Sequence, residues 1–234
     1  MNLRGHIPSA PPRSSDLRAG VLDALSTVYD PELDEPITTL GFVGSLVVTD
    51  AGDVSVRLRL PTPQCAPNFA FLMAADARAA VDRVSGLGQV SIVLEDHYTG
   101  AEINSAVAGG KGFSDAFPGE TRGELDALRA LFQRKALVAR QGRLLDTVPA
   151  PASATLGELH GPDAERCRAL RLQLGYDAGD AAPAFVKGDG TPVTADEIPR
   201  FARMASLTSL SLETNGGMCR DLLRVRYSEE GVAA

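Results

Sequence analysis

Residues 54–60, Val-Ser-Val-Arg-Leu-Arg-Leu, alternate without a break. Val54, Val56, Leu58 and Leu60 point to one face of an extended chain, and Ser55, Arg57 and Arg59 to the other. A period of two does not suit a helix, so the segment predicts a strand with one buried and one solvated face. A β-rich run at 40–49, Leu-Gly-Phe-Val-Gly-Ser-Leu-Val-Val-Thr, precedes it, and Asp-Ala-Gly-Asp at 50–53 joins the two as a hairpin.

The second strand runs into a corner, Pro-Thr-Pro-Gln-Cys-Ala-Pro at 61–67. Beyond it Phe69, Leu72, Met73, Ala77, Ala80, Val81 and Val84 mark one face of a helix ending near Gly86, and Gln89–Glu95 has the pattern of a third strand. Upstream, Leu17, Val21, Leu25 and Val28 recur at helical spacing, with Ser14 or Ser15 available as N-cap. Tyr-Asp-Pro-Glu-Leu-Asp-Glu-Pro at 29–36 ends that helix, because a residue before proline disfavours the α conformation. The order helix, hairpin, helix, strand predicts an α/β (α+β) two-layer sandwich over residues 16–96, with strand three parallel to strand two or beside strand one.

The flanks are less regular. Residues 1–15 read as a disordered arm and the glycine-rich stretch 97–120 as a loop. Thr121 and Glu124 form a capping-box pattern that opens a helix, with Leu125, Leu128, Phe132 and Ala136 turned inward, so that 97–145 is loop and helix. Residues 146–162 have linker composition, and 163–234 predict a small α+β extension of mixed helical and β character. Within it, Gly175 stops one helix and the pair Thr194/Glu197 caps a short one through Phe201. Residues 207–227 suit a hairpin turning at Asn215-Gly216, although Met218, Leu222 and Val225 are also spaced for a helix.

Composition narrows the classes. A formal net charge of −7, with −8 carried by residues 16–115, argues against nucleic-acid binding. No apolar run suits a signal peptide or a membrane span, so the expected compartment is the cytoplasm. Three cysteines far apart, Cys65, Cys167 and Cys219, do not form a disulfide framework, and no Cys-x-x-Cys occurs. Gly-Gly-Lys-Gly at 109–112 lacks the spacing of a phosphate loop. The basic run at 129–143 reads as a solvated helix face or as a docking patch for an acidic client.

Cys65 is the residue with chemical promise. It stands just before a helix, where unpaired amides and the positive dipole end favour a thiolate, and thiolates are soft ligands for iron. The bland alternative is a packed structural cysteine. His97 and Glu102 after strand three add nitrogen and oxygen donors, or else belong to a solvated loop. Cys219 completes a shared site, or stands apart from it. Cys167 falls on the inner face of its helix.

Val-x-Asp-Pro-Glu-Leu at 28–33, Ile-Thr-Thr-Leu-Gly-Phe-Val at 37–43, the 52–60 strand, Thr-Pro-Gln-Cys at 62–65 and Val-Ser-Gly-Leu-Gly-Gln-Val-Ser-Ile-Val-Leu at 84–94 occur in that order. Together they resemble the SufT/PaaD-like iron–sulfur cluster assembly domain family. Ala66 departs from the proline that often follows the family's cysteine, and 97–234 has no counterpart. The resemblance implies Cys65 as metal ligand, with Thr62, Asp30 and Glu32 in support. It also implies iron or a labile Fe–S cluster as cargo, and a client metalloenzyme, such as a multicomponent oxygenase, as partner. One chain offers too few sulfurs for a cluster, which suggests a homodimer. The chain is then a non-enzymatic maturation factor; the alternatives are a metal-free client chaperone on the same domain and a cysteine-dependent enzyme.

Overall fold

The computed structural model describes residues 13–119 and 124–228. The chain divides into two compact units: one comprises residues up to Val28 together with Pro36–Ala116, the other Tyr29–Glu35 and residues from Phe117 onward.

The first unit is built on a three-stranded sheet, β1 Val43–Val48, β2 Val54–Arg59 and β3 Val90–Glu95, in that spatial order. β1 and β2 pair antiparallel, with Leu46 opposite Val56 and a bulge at Gly44. Gly52, at φ +84°, makes the tight turn between them, a backbone angle that L-residues rarely adopt. β2 and β3 are parallel, from Val54 opposite Val90 to Arg59 opposite Glu95, so of the two placements open to strand three the structure has the one beside strand two. Parallel neighbours need a crossover, and α2 (Pro67–Val81) supplies it.

The alternation of 54–60 is realised: Val54, Val56, Leu58 and Leu60 are buried. α2 contributes Ala70, Phe71, Leu72, Met73, Ala74, Ala77, Ala80 and Val81 to the core, and α1 (Ser14–Ser26) adds Leu17, Val21 and Leu25. On the other face Arg57 and Arg59 both reach Glu95, at 2.5 and 2.9 Å. α1 starts one residue earlier than the serines suggest: Arg13 is the N-cap and makes no side-chain cap bond, while Ser14 and Ser15 lie in the first turn. Of the expected arm, residues 1–12 lie outside the described residues, as does the backbone of Thr121 in the 121/124 capping box.

The stretch 97–120 corrects the loop expectation. It holds α3 (Gly100–Ala108) and α4 (Phe113–Ala116). Ile103, Ala106 and Val107 are buried at helical spacing, and Asn104 fixes α3 to β3 by accepting from the Leu94 N–H at 2.8 Å and donating to the Leu94 carbonyl at 3.0 Å. The glycines that suggest a loop sit at the ends of the helix.

The second unit is helical, with α5 (Glu124–Leu144), α6 (Pro162–Leu174) and α7 (Ile198–Tyr227) around a core that includes Leu137, Leu156, Cys167, Leu170, Phe185 and Phe201. Gly142 brings α5 against α7, since a Cβ there would lie 2.7 Å from that of Ala205. Residues 146–162 are packed rather than extended: Thr155 and Glu158 form a capping box over a 3-10 turn, and Leu156 and Leu159 are buried. The β structure here includes the isolated bridges Thr155–Pro183 and Val186–Pro192. Pro162 begins α6 and Gly175 ends it in the left-handed conformation. Thr194 and Glu197 are bonded in the turn just ahead of a helix, with the Thr194 N–H and hydroxyl both donating to Glu197 Oε2 at 3.0 Å, but the N-cap is Glu197 and it makes no side-chain cap bond.

That helix corrects the hairpin expected at Asn215-Gly216. α7 runs for 30 residues through both glycines. Each mid-helix glycine costs about 1 kcal/mol relative to alanine. Gly216 is buried against Glu35, whose Oε1 would lie 2.6 Å from an added Cβ, so the backbone's close approach explains the residue without a turn.

Segment 29–35 is tied into this unit by charge. Asp34 is 4% exposed, at φ +51°, and its carboxylate accepts from Arg140 Nε at 2.7 Å and from Arg166 Nη2 at 2.6 Å. Arg166 also stacks on Tyr29, 3.7 Å from the ring centroid, and Arg220 pairs with Glu35. Removing one partner of a buried pair leaves the other charge uncompensated. Asp34→Ala is therefore expected to lower unfolding free energy by about 3 kcal/mol in urea denaturation. A loss no larger than an exposed carboxylate gives, under about 0.5 kcal/mol, would show that the cluster is solvated.

Candidate functional site

The corner at the end of β2 and the loop after β3 emerge side by side, because parallel strands put their carboxyl ends on the same edge. Residues 62–65 form a tight turn: the Cys65 N–H donates to the Thr62 carbonyl at 3.4 Å and the Gln64 N–H to Thr62 Oγ1 at 3.3 Å. Thr62 Oγ1 lies 3.6 Å from Cys65 Sγ, within hydrogen-bond reach of sulfur. Ala66 is the N-cap of α2 and Pro67 its first residue, so the sulfur stands two residues ahead of the helix's positive end. Cys65 is half-buried, between exposed Gln64 and exposed Ala66.

The loop 96–99 grips this turn. Asp96, at φ +52°, turns the chain after β3; aspartate is among the few L-residues that tolerate the left-handed region. The Tyr98 N–H donates to the Pro63 carbonyl at 3.1 Å. His97 Nδ1 accepts from the Thr99 N–H at 3.3 Å, which assigns the proton to Nε2, and Nε2 donates to the Cys65 carbonyl at 2.7 Å. Both ring nitrogens are therefore engaged in holding the corner. Tyr98, 61% exposed, stacks beside His97 with ring centroids 5.0 Å apart. Neither Tyr98 nor Thr99 carries a sequence signal for this clamp.

The other sequence candidates are carried by other elements. Glu102 is exposed in the first turn of α3. Asp30 and Glu32 belong to the second unit, as does Cys219, half-buried on α7. Cys167 is fully buried in that unit's core, and burial pushes its thiol up to about 12, which makes it inert. Among the described residues no three His, Cys, Asp or Glu side chains converge as a metal-binding group. The described residues therefore offer one half-buried cysteine at the corner and no complete ligand set for a cluster, which takes four.

Asp30 has a structural task in its turn. Its Oδ1 accepts from the Glu32 N–H at 2.8 Å and the Leu33 N–H at 2.9 Å. Burial outweighs these bonds and raises its pKa from 3.8 to about 6. A carboxyl raised in the folded state contributes stability that is full below about pH 4 and lost as pH climbs through about 6. Asparagine keeps the accepting oxygen without the charge. Asp30→Asn is thus expected to stabilise the chain at pH 7 by about 3 kcal/mol and nearly to match it near pH 4, measured by urea unfolding across that range. A difference independent of pH would contradict the assignment.

Residues 18–93 match the family model described as iron–sulfur cluster assembly protein. An uncharacterized protein of Methanocaldococcus jannaschii is 34% identical over 84 residues, 36% of this chain and 86% of that one. Iron–sulfur cluster carrier proteins are similar to the same region: 34% identity over 82 residues in Mycobacterium leprae and 37% over 83 in Mycobacterium tuberculosis. Those matches cover 35% and 36% of this chain, and the chain spans 21% of each carrier's length. No solved structure matches. Through residues 18–93, which hold the three-stranded sheet and the Cys65 corner, the chain belongs to the iron–sulfur cluster assembly protein family.

Proposed function

We propose that the chain holds iron or an iron–sulfur cluster transiently at Cys65 and passes it to a client metalloenzyme. The observation that carries this reading is the half-buried Cys65 beside Thr62, ahead of the α2 N-terminus and clamped by His97. The names of the mycobacterial relatives, cluster carriers, support it. The cluster is cargo. With one corner thiol per chain, the remaining thiolates come from a second copy of the chain or from the client, and a site completed by its recipient releases its load readily.

In this reading each nearby side chain has a defined task. Cys65 Sγ, as thiolate, bonds iron. The Thr62 hydroxyl donates a hydrogen bond to that sulfur. His97 fixes the backbone of the corner through the Cys65 carbonyl. A multicomponent oxygenase stays within the range of clients, and nothing in the corner selects among metalloenzymes. A reducing compartment such as the cytoplasm keeps the thiol competent.

Anaerobic incubation of the full chain with ferrous iron and sulfide tests the reading. Cys65→Ser is expected to lower bound iron and sulfide at least about tenfold, whereas Cys167→Ser and Cys219→Ser retain them. Equal loading of Cys65→Ser and the unmodified chain would remove the metal role. Client activation surviving the same substitution would favour a metal-free chaperone.

A further inference from the structure

Beyond the Cys65 corner, the second unit carries a groove. A cleft of about 570 Å³ lies between α5 and α7, with Phe132, Met204, Leu207 and Leu212 as its apolar lining. Lys135, Arg200 and Arg203 rim it, against the single carboxylate of Glu32. Lys135 sits over the Phe132 ring at 4.6 Å, while Arg200 and Arg203 are exposed and make no ion pair among the described residues. A local excess of positive charge around an apolar trough is unexpected in a chain of net charge −7.

The apolar lining continues along α7. Met204, Leu207, Met218, Leu222 and Val225 are all at least 43% exposed. At 100° per residue they fall within one stripe about 80° wide, interrupted only by Ser211 and Asn215. α7 is about 45 Å long, and none of its residues beyond Gly216 is buried. A stripe with this spacing is the complement of another helix's apolar face.

We propose that this groove docks an acidic amphipathic helix of a partner protein, whose leucine-type face covers the α7 stripe and whose carboxylates meet Lys135, Arg200 and Arg203. Charge selects this occupant. A second copy of α7 laid parallel would set Arg200 and Arg203 against themselves, and laid antiparallel would bring them to the Asp221–Arg224 ion pair, which offers no net negative charge. An anionic membrane also prefers basic apolar surfaces, but it covers a convex face, whereas this one is a trough between two helices. That the partner is the client rests on the delivery reading above; the surface itself does not.

The test uses the full chain and a fluorescein-labelled peptide of about 20 residues, leucine at heptad a and d and glutamate between, with a twin carrying lysine for each glutamate. Fluorescence anisotropy is expected to show the acidic peptide binding at least about tenfold tighter than its twin, weakening as salt rises. Arg200→Glu with Arg203→Glu should abolish that preference. Both sites are exposed, so circular dichroism should stay unchanged. Cys65→Ser should bind the peptide like the unmodified chain, which separates failure of the groove from failure of the metal reading. Equal binding of the two peptides, binding undiminished by the double substitution, or no binding would overturn the proposal. So would a dimer in ultracentrifugation that Leu207→Asp dissociates, or binding to phosphatidylserine vesicles in place of the acidic peptide.

Discussion

The parallel pairing of β2 with β3 is the constraint on which the candidate site depends. Antiparallel neighbours would send the chain ends to opposite edges of the sheet. The parallel register, ending with Arg59 opposite Glu95, makes both strands finish at one edge. The corner bearing Cys65 and the loop bearing His97 then leave that edge together, and residues 32 positions apart come within a hydrogen bond. Placing reactive groups beyond the carboxyl ends of parallel strands is a general habit of α/β sheets. Here it serves a sheet of only three strands.

The crossover that makes this pairing possible also sets the local electrostatics. α2 must start where β2 ends in order to carry the chain over the sheet, so its N-terminus is delivered to the corner along with the sulfur. Pro61, Pro63 and Pro67 restrict the backbone on both sides, which reduces the entropy lost in holding so tight a turn. The acidic turn at 29–35 answers to different forces. Its Asp34 and Glu35 neutralise arginines of α5, α6 and α7, and Asp30 closes the turn on its own backbone amides. The sequence interval between α1 and β1 is thus an anchoring segment of the helical unit.

What could be read in advance follows from how local each signal is. The strand at 54–60, the hairpin around Gly52 and the helix after Pro67 declare themselves through period and turn chemistry. Cys65 stands out because a cysteine between prolines at a strand–helix junction is unusual. The clamp by His97, Tyr98 and Thr99 is not legible, since it exists only once β3 lies parallel to β2, and the sequence leaves that placement open. α3 is hidden by glycines that lie at its ends, and Ile103, Ala106 and Val107 are too few to outweigh them. α7 misleads for a different reason: Asn215-Gly216 is a strong turn pair, yet the close approach of Glu35 gives Gly216 a use within a continuous helix. The buried Leu156 and Leu159 within 146–162 sit among prolines and alanines, and only tertiary packing distinguishes them from a linker.

Cluster transfer tests the central claim most directly. The loaded chain is mixed anaerobically with an apo-ferredoxin, and the acceptor's visible absorbance is followed against a control with the same iron and sulfide but no chain. The account predicts that the unmodified chain fills the acceptor faster than the control and that Cys65→Ser falls back to the control rate. Transfer by Cys65→Ser at the full rate would contradict it.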